Sequence, residues 1–147
     1  MKFLLPALLL SLAATMPAHA GPKADALAAC LGDSTTGKDR KDLARWIFIA
    51  MSSHPEIKPL SAVGETHRDE ADASAAKLFD SLLTERCRKQ ASEAVQQEGQ
   101  AGMVTAFQTL GALAMQELMG NPDVTAAVGR FEQRLDRAKV EAALAGK

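Results

Sequence analysis

T-G-K-D-R-K-D-L-A-R-W-I-F-I-A-M, from Thr36 to Met51, is the stretch whose reading decides the fold. Thr36 followed three residues later by Asp39 is close to a capping box, in which each side chain accepts the other residue's backbone N–H at a helix start. Leu43, Trp46, Ile47, Ala50 and Met51 then recur at three- and four-residue steps, the period of a helix with one apolar face. Phe48 and Ile49 widen that arc beyond one contact face, so this helix, Gly37 to Ser53, is expected to be the most buried. Pro55 cannot continue it, and His54 is the expected stop, its imidazole near the last carbonyls.

The same period runs outward in both directions. Upstream, Ala26, Leu27 and Cys30 mark a short helix from Ala24 to Leu31, with Gly32 expected to end it. Downstream, Pro55 to Gly64 carries two prolines and a glycine around Ile57, Leu60 and Val63, which reads as a loop over the core. A third helix is expected from Thr66 to Glu98, weakly held over its first turns, where no large apolar residue occurs. Its length of roughly 45 to 50 Å invites a bend or break. Gly99 and Gly102 punctuate the connection to a fourth helix, Ala101 to Met119, and Gly120-Asn121-Pro122 separates that from a last one, Pro122 to Ala145. In the last helix Val124, Val128, Phe131, Leu135, Ala138 and Ala142 form a stripe. No stretch alternates with the two-residue period of a strand. The expectation is an all-α fold: one bundle of four to five helices over residues 21–147, with antiparallel neighbours wherever connections are short.

Residues 1–20, MKFLLPALLLSLAATMPAHA, have the composition of a cleaved export signal. Lys2 precedes an apolar run too short to span a bilayer, and Ala18-His19-Ala20 supplies the small residues that a signal peptidase requires. A periplasmic or secreted protein beginning near Gly21 follows. Lys2 is the one basic residue among those twenty, so the remainder carries 16 basic and 18 acidic side chains with the signs interleaved. That argues against nucleic-acid binding, which needs a basic face. No long apolar run follows the leader, so no membrane span is expected in the mature chain. In an oxidising compartment, two cysteines far apart in sequence usually pair. A Cys30–Cys87 bridge is therefore expected, with two separate buried thiols as the alternative.

Few residues point to chemistry. Gly32-Asp33-Ser34-Thr35-Thr36-Gly37-Lys38-Asp39 approaches a phosphate-binding loop, but a helix rather than a strand precedes it, and Asp39 stands where Ser or Thr would bind magnesium. A capped helix start explains the same residues. Lys38 and Arg40 beside that helix start leave room for a small anion or a partner's carboxylate. His67 lies among Glu65, Asp69, Glu70 and Asp72, yet this segment offers at most two ligands on one helical face, short of the three or four that zinc takes. No cofactor is implied. No serine or cysteine has the context of a nucleophile, and no acid pair sits in an apolar run that would raise a pKa, so catalysis is unsupported.

The run from Cys30 to Pro55, C-L-G-D-S-T-T-G-K-D-R-K-D-L-A-R-W-I-F-I-A-M-S-S-H-P, resembles a group of small exported proteobacterial proteins of unknown function. The resemblance implies one helical exported domain and assigns no activity. A binding surface in such a group would fall on its densest motif, which places Asp39, Arg40, Trp46, His54 and Pro55 there; with Lys38 from the helix start, the candidate surface residues are Lys38, Asp39, Arg40, Trp46 and His54. Three functions are expected in descending order: a non-enzymatic module that binds another periplasmic protein, as adaptor, chaperone-like factor or inhibitor; a carrier of a small apolar ligand in a pocket lined by Phe107, Met115 and Met119; and a metal-assisted hydrolase centred on His67.

Overall fold

The computed structural model describes residues 21–146, and the expected leader, residues 1–20, lies outside them. Six helices occur among the described residues, with no strand: α1 (Pro22–Asp33), α2 (Gly37–Met51), α3 (Glu65–Ser81), α4 (Arg88–Met119), α5 (Pro122–Glu132) and α6 (Arg137–Leu144). A 3₁₀ turn, Lys58–Leu60, follows α2, and a π-helical turn, Leu82–Arg86, joins α3 to α4. The fold is all-α and carries the Cys30–Cys87 disulfide, whose Cα atoms are 5.9 Å apart.

The capping box at Thr36 forms as its sequence implies. Thr36 Oγ1 accepts the Asp39 N–H at 3.1 Å, and Asp39 Oδ2 accepts the Thr36 N–H at 2.9 Å and its hydroxyl at 2.8 Å. The backbone N–H of Thr36, above all, holds the Asp39 carboxyl below its ordinary value of 3.8. A depressed folded value means the stabilisation is present above the unfolded value and lost as pH falls through the folded one. Asp39→Ala is therefore expected to cost no more than about 1 kcal/mol near neutral pH. That deficit, followed by urea unfolding at a series of pH values, closes below about pH 4 as the wild-type carboxylate is protonated.

The long helical stretch after Gly64 breaks twice, and both breaks have causes. At the first, the Cys87 N–H donates to Leu82 O at 2.8 Å, a five-residue step. Residues five apart on a regular α-helix point about 140° away from each other. The π turn absorbs the extra residue, so Leu82 and Cys87 are both fully buried. At the second, Gly99 has φ 62° and ψ −151°, backbone that only glycine enters readily. The chain reverses there: Glu98 lies beside Lys23 and Ala24 at the start of α1, while Cys87 and Leu113 lie beside Cys30 and Gly32 near its end. The limbs of α4, residues 88–98 and 100–119, thus run antiparallel to each other along α1, as the short glycine-marked connection implies.

The core sits where α1 meets both limbs and α2. Leu27, Leu31, Leu43, Leu82 and Leu110 pack among Ala28, Ala44, Ala91, Ala94, Ala106 and Ala114. Small side chains on both limbs let the helix axes approach closely around the leucines. Gly32 belongs to this arrangement. It lies inside α1 rather than ending it, and a Cβ there would come 3.1 Å from Leu113 Cδ1, so its role is close packing.

Four expectations are corrected. The helix with the largest share of buried residues is α1, not α2. In α2 the buried residues are Leu43, Ala44 and Ile49, Trp46 and Ile47 are half-buried, and Ala50 and Met51 are exposed with Phe48. The segment after α2 does not cover the core, since Leu60 is 82% exposed. The first turns of α3 are held instead by Arg68, whose guanidinium donates to Ile49 O at 3.1 Å and Ser53 Oγ at 2.6 Å, closing the C-terminal end of α2. The last helix splits at 133–136, where Asp136 caps α6, and no residue of α5 or α6 is buried. The stripe read from Val124 to Ala142 is interrupted there, with Leu135 outside both helices, and Phe131 at its centre is 64% exposed.

Candidate functional site

The side chains named as a candidate surface do not converge. Lys38 pairs with Asp42 one turn on and lines a polar cleft with Asp39 and Arg86. Arg40 donates to Thr35 O at 2.9 Å and Glu117 Oε2 at 3.3 Å, latching the α1–α2 loop to the end of α4 in a different cleft. His54 is exposed in the turn after α2, and its Nδ1 accepts the Glu56 N–H at 3.3 Å. It does not cap α2 with its imidazole, because Ser52 and Arg68 occupy that position. His67 Nδ1 accepts the Gly64 N–H at 3.4 Å, the reach-back half of a capping box. Among the described residues no three His, Cys, Asp or Glu side chains come together as a metal site.

Trp46 is the exception. It lines an apolar groove of about 470 Å³ with Leu43 and Ile47 of α2, Phe79 of α3, Leu83 of the π turn, and Phe107 and Gly111 of α4. Each part has a sequence cause. Leu43, Trp46 and Ile47 share a face of α2 by their three- and four-residue spacing. The π turn carries the chain past Phe79 and Leu83 toward the disulfide. Gly111 has no side chain to fill the groove, and a Cβ built there meets nothing within 4 Å.

Three aromatic rings form a ladder along this groove. Trp46 and Phe79 meet edge to face with centroids 6.0 Å apart, and Phe79 and Phe107 do the same at 5.2 Å. Such pairs add about 0.5 to 1.5 kcal/mol beyond their area, so the ladder is a preorganised surface. Trp46 Nε1 donates to Asp72 Oδ1 at 2.8 Å, which satisfies the indole's one polar group and leaves its faces for apolar contact. Trp46, Ile47, Phe79, Leu83 and Phe107 are all only half-buried, so the groove is a trough on the surface rather than a sealed cavity. Sequence reasoning named Trp46 and Phe107 separately. Phe79, Leu83 and Gly111 are missed because their spacing fits ordinary core packing, and the pocket expected beside Met115 and Met119 is not the one found, since neither lines this groove.

No family model, curated protein or solved structure matches the chain. Among the described residues no helix is long and apolar enough to cross a membrane.

Proposed function

We propose that the protein is an exported, non-enzymatic interaction module whose Trp46–Phe79–Phe107 trough receives the apolar face of a helix from another protein. The observation that carries this reading is the trough itself: a large, nearly all-apolar recess floored by aromatic rings and left open along one side. A half-buried tryptophan beside fixed phenylalanines is the composition of an interface hot spot. Helix-in-groove docking uses apolar anchors spaced along such a surface. The disulfide and the sequence of residues 1–20 support a periplasmic or secreted location. Carriage of a small apolar ligand is the second reading, favoured by the trough's volume. It ranks lower because a small-molecule site encloses most of its ligand, whereas these lining residues stay half-exposed.

Gly111→Leu separates the occupied trough from the fold. A Cβ there meets nothing within 4 Å, so the leucine enters the trough, and replacing a helical glycine leaves stability unchanged or raised by up to about 1 kcal/mol. Wild type and Gly111→Leu serve as paired baits in a native envelope extract. The expected result is a protein retained by wild type and lost from the variant, with the variant melting no lower than wild type. Recovery of the same proteins by both baits contradicts the reading, and a small molecule carried by wild type alone in native mass spectrometry selects the carrier instead.

A further inference from the structure

The start of α1 is tied down by one carboxylate. Glu98 Oε1 accepts the Lys23 N–H and Glu98 Oε2 accepts the Ala24 N–H, both at 2.8 Å. Pro22 at the first helical position has no N–H to offer, so Glu98 takes up the first two N–H groups the helix presents. The same carboxylate lies against the Cα of Gly21. A Cβ at that position would stand 2.1 Å from Oε1, 2.3 Å from the carboxyl carbon and 2.7 Å from Oε2. A side chain at 21 therefore has to push Glu98 off the two N–H groups it holds. By covalent geometry the backbone nitrogen of Gly21 is within about 5 Å of Oε1.

This position coincides with the one at which the sequence places cleavage, between Ala20 and Gly21. We propose that the mature chain begins at Gly21 and that the α-ammonium released there pairs with Glu98, so that removal of the leader completes the α1 terminus. The inference rests on the export reading, and it explains why a carboxylate from the end of α4's first limb closes over a glycine. Hydrolysis of the Ala20–Gly21 peptide bond consumes one water and leaves the Ala20 carboxylate and the Gly21 ammonium.

The sign of the effect follows from the local charges. The N-terminal end of a helix carries about half a positive charge, which opposes an ammonium, whereas the Glu98 carboxylate carries a full negative one at a similar distance, so attraction wins. Lys23 and Glu93 pair with each other at 2.7 Å, and Asp25 lies in the first turn of α1. Residues 100–116 of α4's second limb contain no ionisable side chain, so nothing there opposes the pairing.

The test uses the full chain expressed with its own leader in a Gram-negative host and purified from the periplasm. Intact-mass analysis is expected to show a chain starting at Gly21, and a start elsewhere overturns the processing half. An NMR titration of the Gly21 α-carbon then reads the amino group directly. In wild type the proton is held about threefold to tenfold more tightly than by an ordinary amino terminus, whose pKa is about 7.7 to 8.0. Glu98→Gln returns it to that range. An ordinary or lowered value in wild type overturns the pairing whether or not the variant folds.

Discussion

Replacing Cys30 and Cys87 together with alanine is expected to lower the unfolding free energy by about 4 kcal/mol, the chain-entropy value for a loop of this length. The bridge spans a sequence separation of 57 residues and fastens α1 to the turn at which α3 passes into α4. Alanine is the right probe, because Cys87 is fully buried and a serine would bring a hydroxyl into the core. Guanidinium unfolding of the two proteins is also expected to show a larger m value for the variant, whose unfolded chain is free to expand. A loss well below 1 kcal/mol with unchanged m would mean that helix packing alone already confines this part of the chain. A loss this large is a sizeable part of the roughly 5 to 15 kcal/mol that holds a domain of this size together, so the fold leans on the bridge staying oxidised.

The second large effect is expected at Gly99. Gly99→Ala places a Cβ on backbone at φ 62° and ψ −151°, at a cost on the order of 2 kcal/mol. Space is not the obstacle, since a Cβ there meets nothing within 4 Å. The whole cost is conformational. Relief by straightening is closed off, because residues 88–98 and 100–119 both pack on α1 and a continuous helix would carry one of them away from it. Thermal unfolding of Gly99→Ala is expected to show a lowered midpoint with the helical signal at low temperature retained. A variant as stable as wild type would contradict the reversal at Gly99. Gly111→Ala is the control: a glycine in the same helix with helical backbone, at which alanine is expected to be neutral or stabilising.

Most of the helical architecture is legible in the sequence because its signals are local. Thr36 with Asp39, Asn121 with Pro122, and the glycines near 99 each act through backbone within a few residues, and the structure places a capping box, a helix start and a chain reversal there. The cysteine pairing is legible for a different reason, since an expected oxidising compartment and a count of two leave few choices. Misreadings arise where a side chain's role depends on a distant neighbour. Gly32 has the position of a helix stop but serves contact with Leu113, eighty-one residues on. Arg68 lies in a stretch without large apolar residues, and its anchoring of α3 is visible only once the end of α2 is beside it. The α5–α6 stripe shows the limit of periodicity most clearly: spacing tells which face of a helix is apolar and not whether anything covers it. The trough falls under the same limit. Its aromatic residues come from three helices, and the opening depends on Gly111, whose significance is an empty volume rather than a side chain.

Docking at the trough is tested most directly by site-specific photocross-linking in living cells, with a benzophenone amino acid at Met115, an exposed residue one helical turn beyond Gly111, and, as comparison, at Phe48, an exposed residue of α2; neither lines the trough. The expected result is one discrete protein adduct from position 115 that is much weaker from position 48 and is abolished by Trp46→Ala in a chain that still folds. Equal labelling from both positions, or an adduct at 115 that persists without the Trp46 ring, would contradict the assignment of this surface as the binding site.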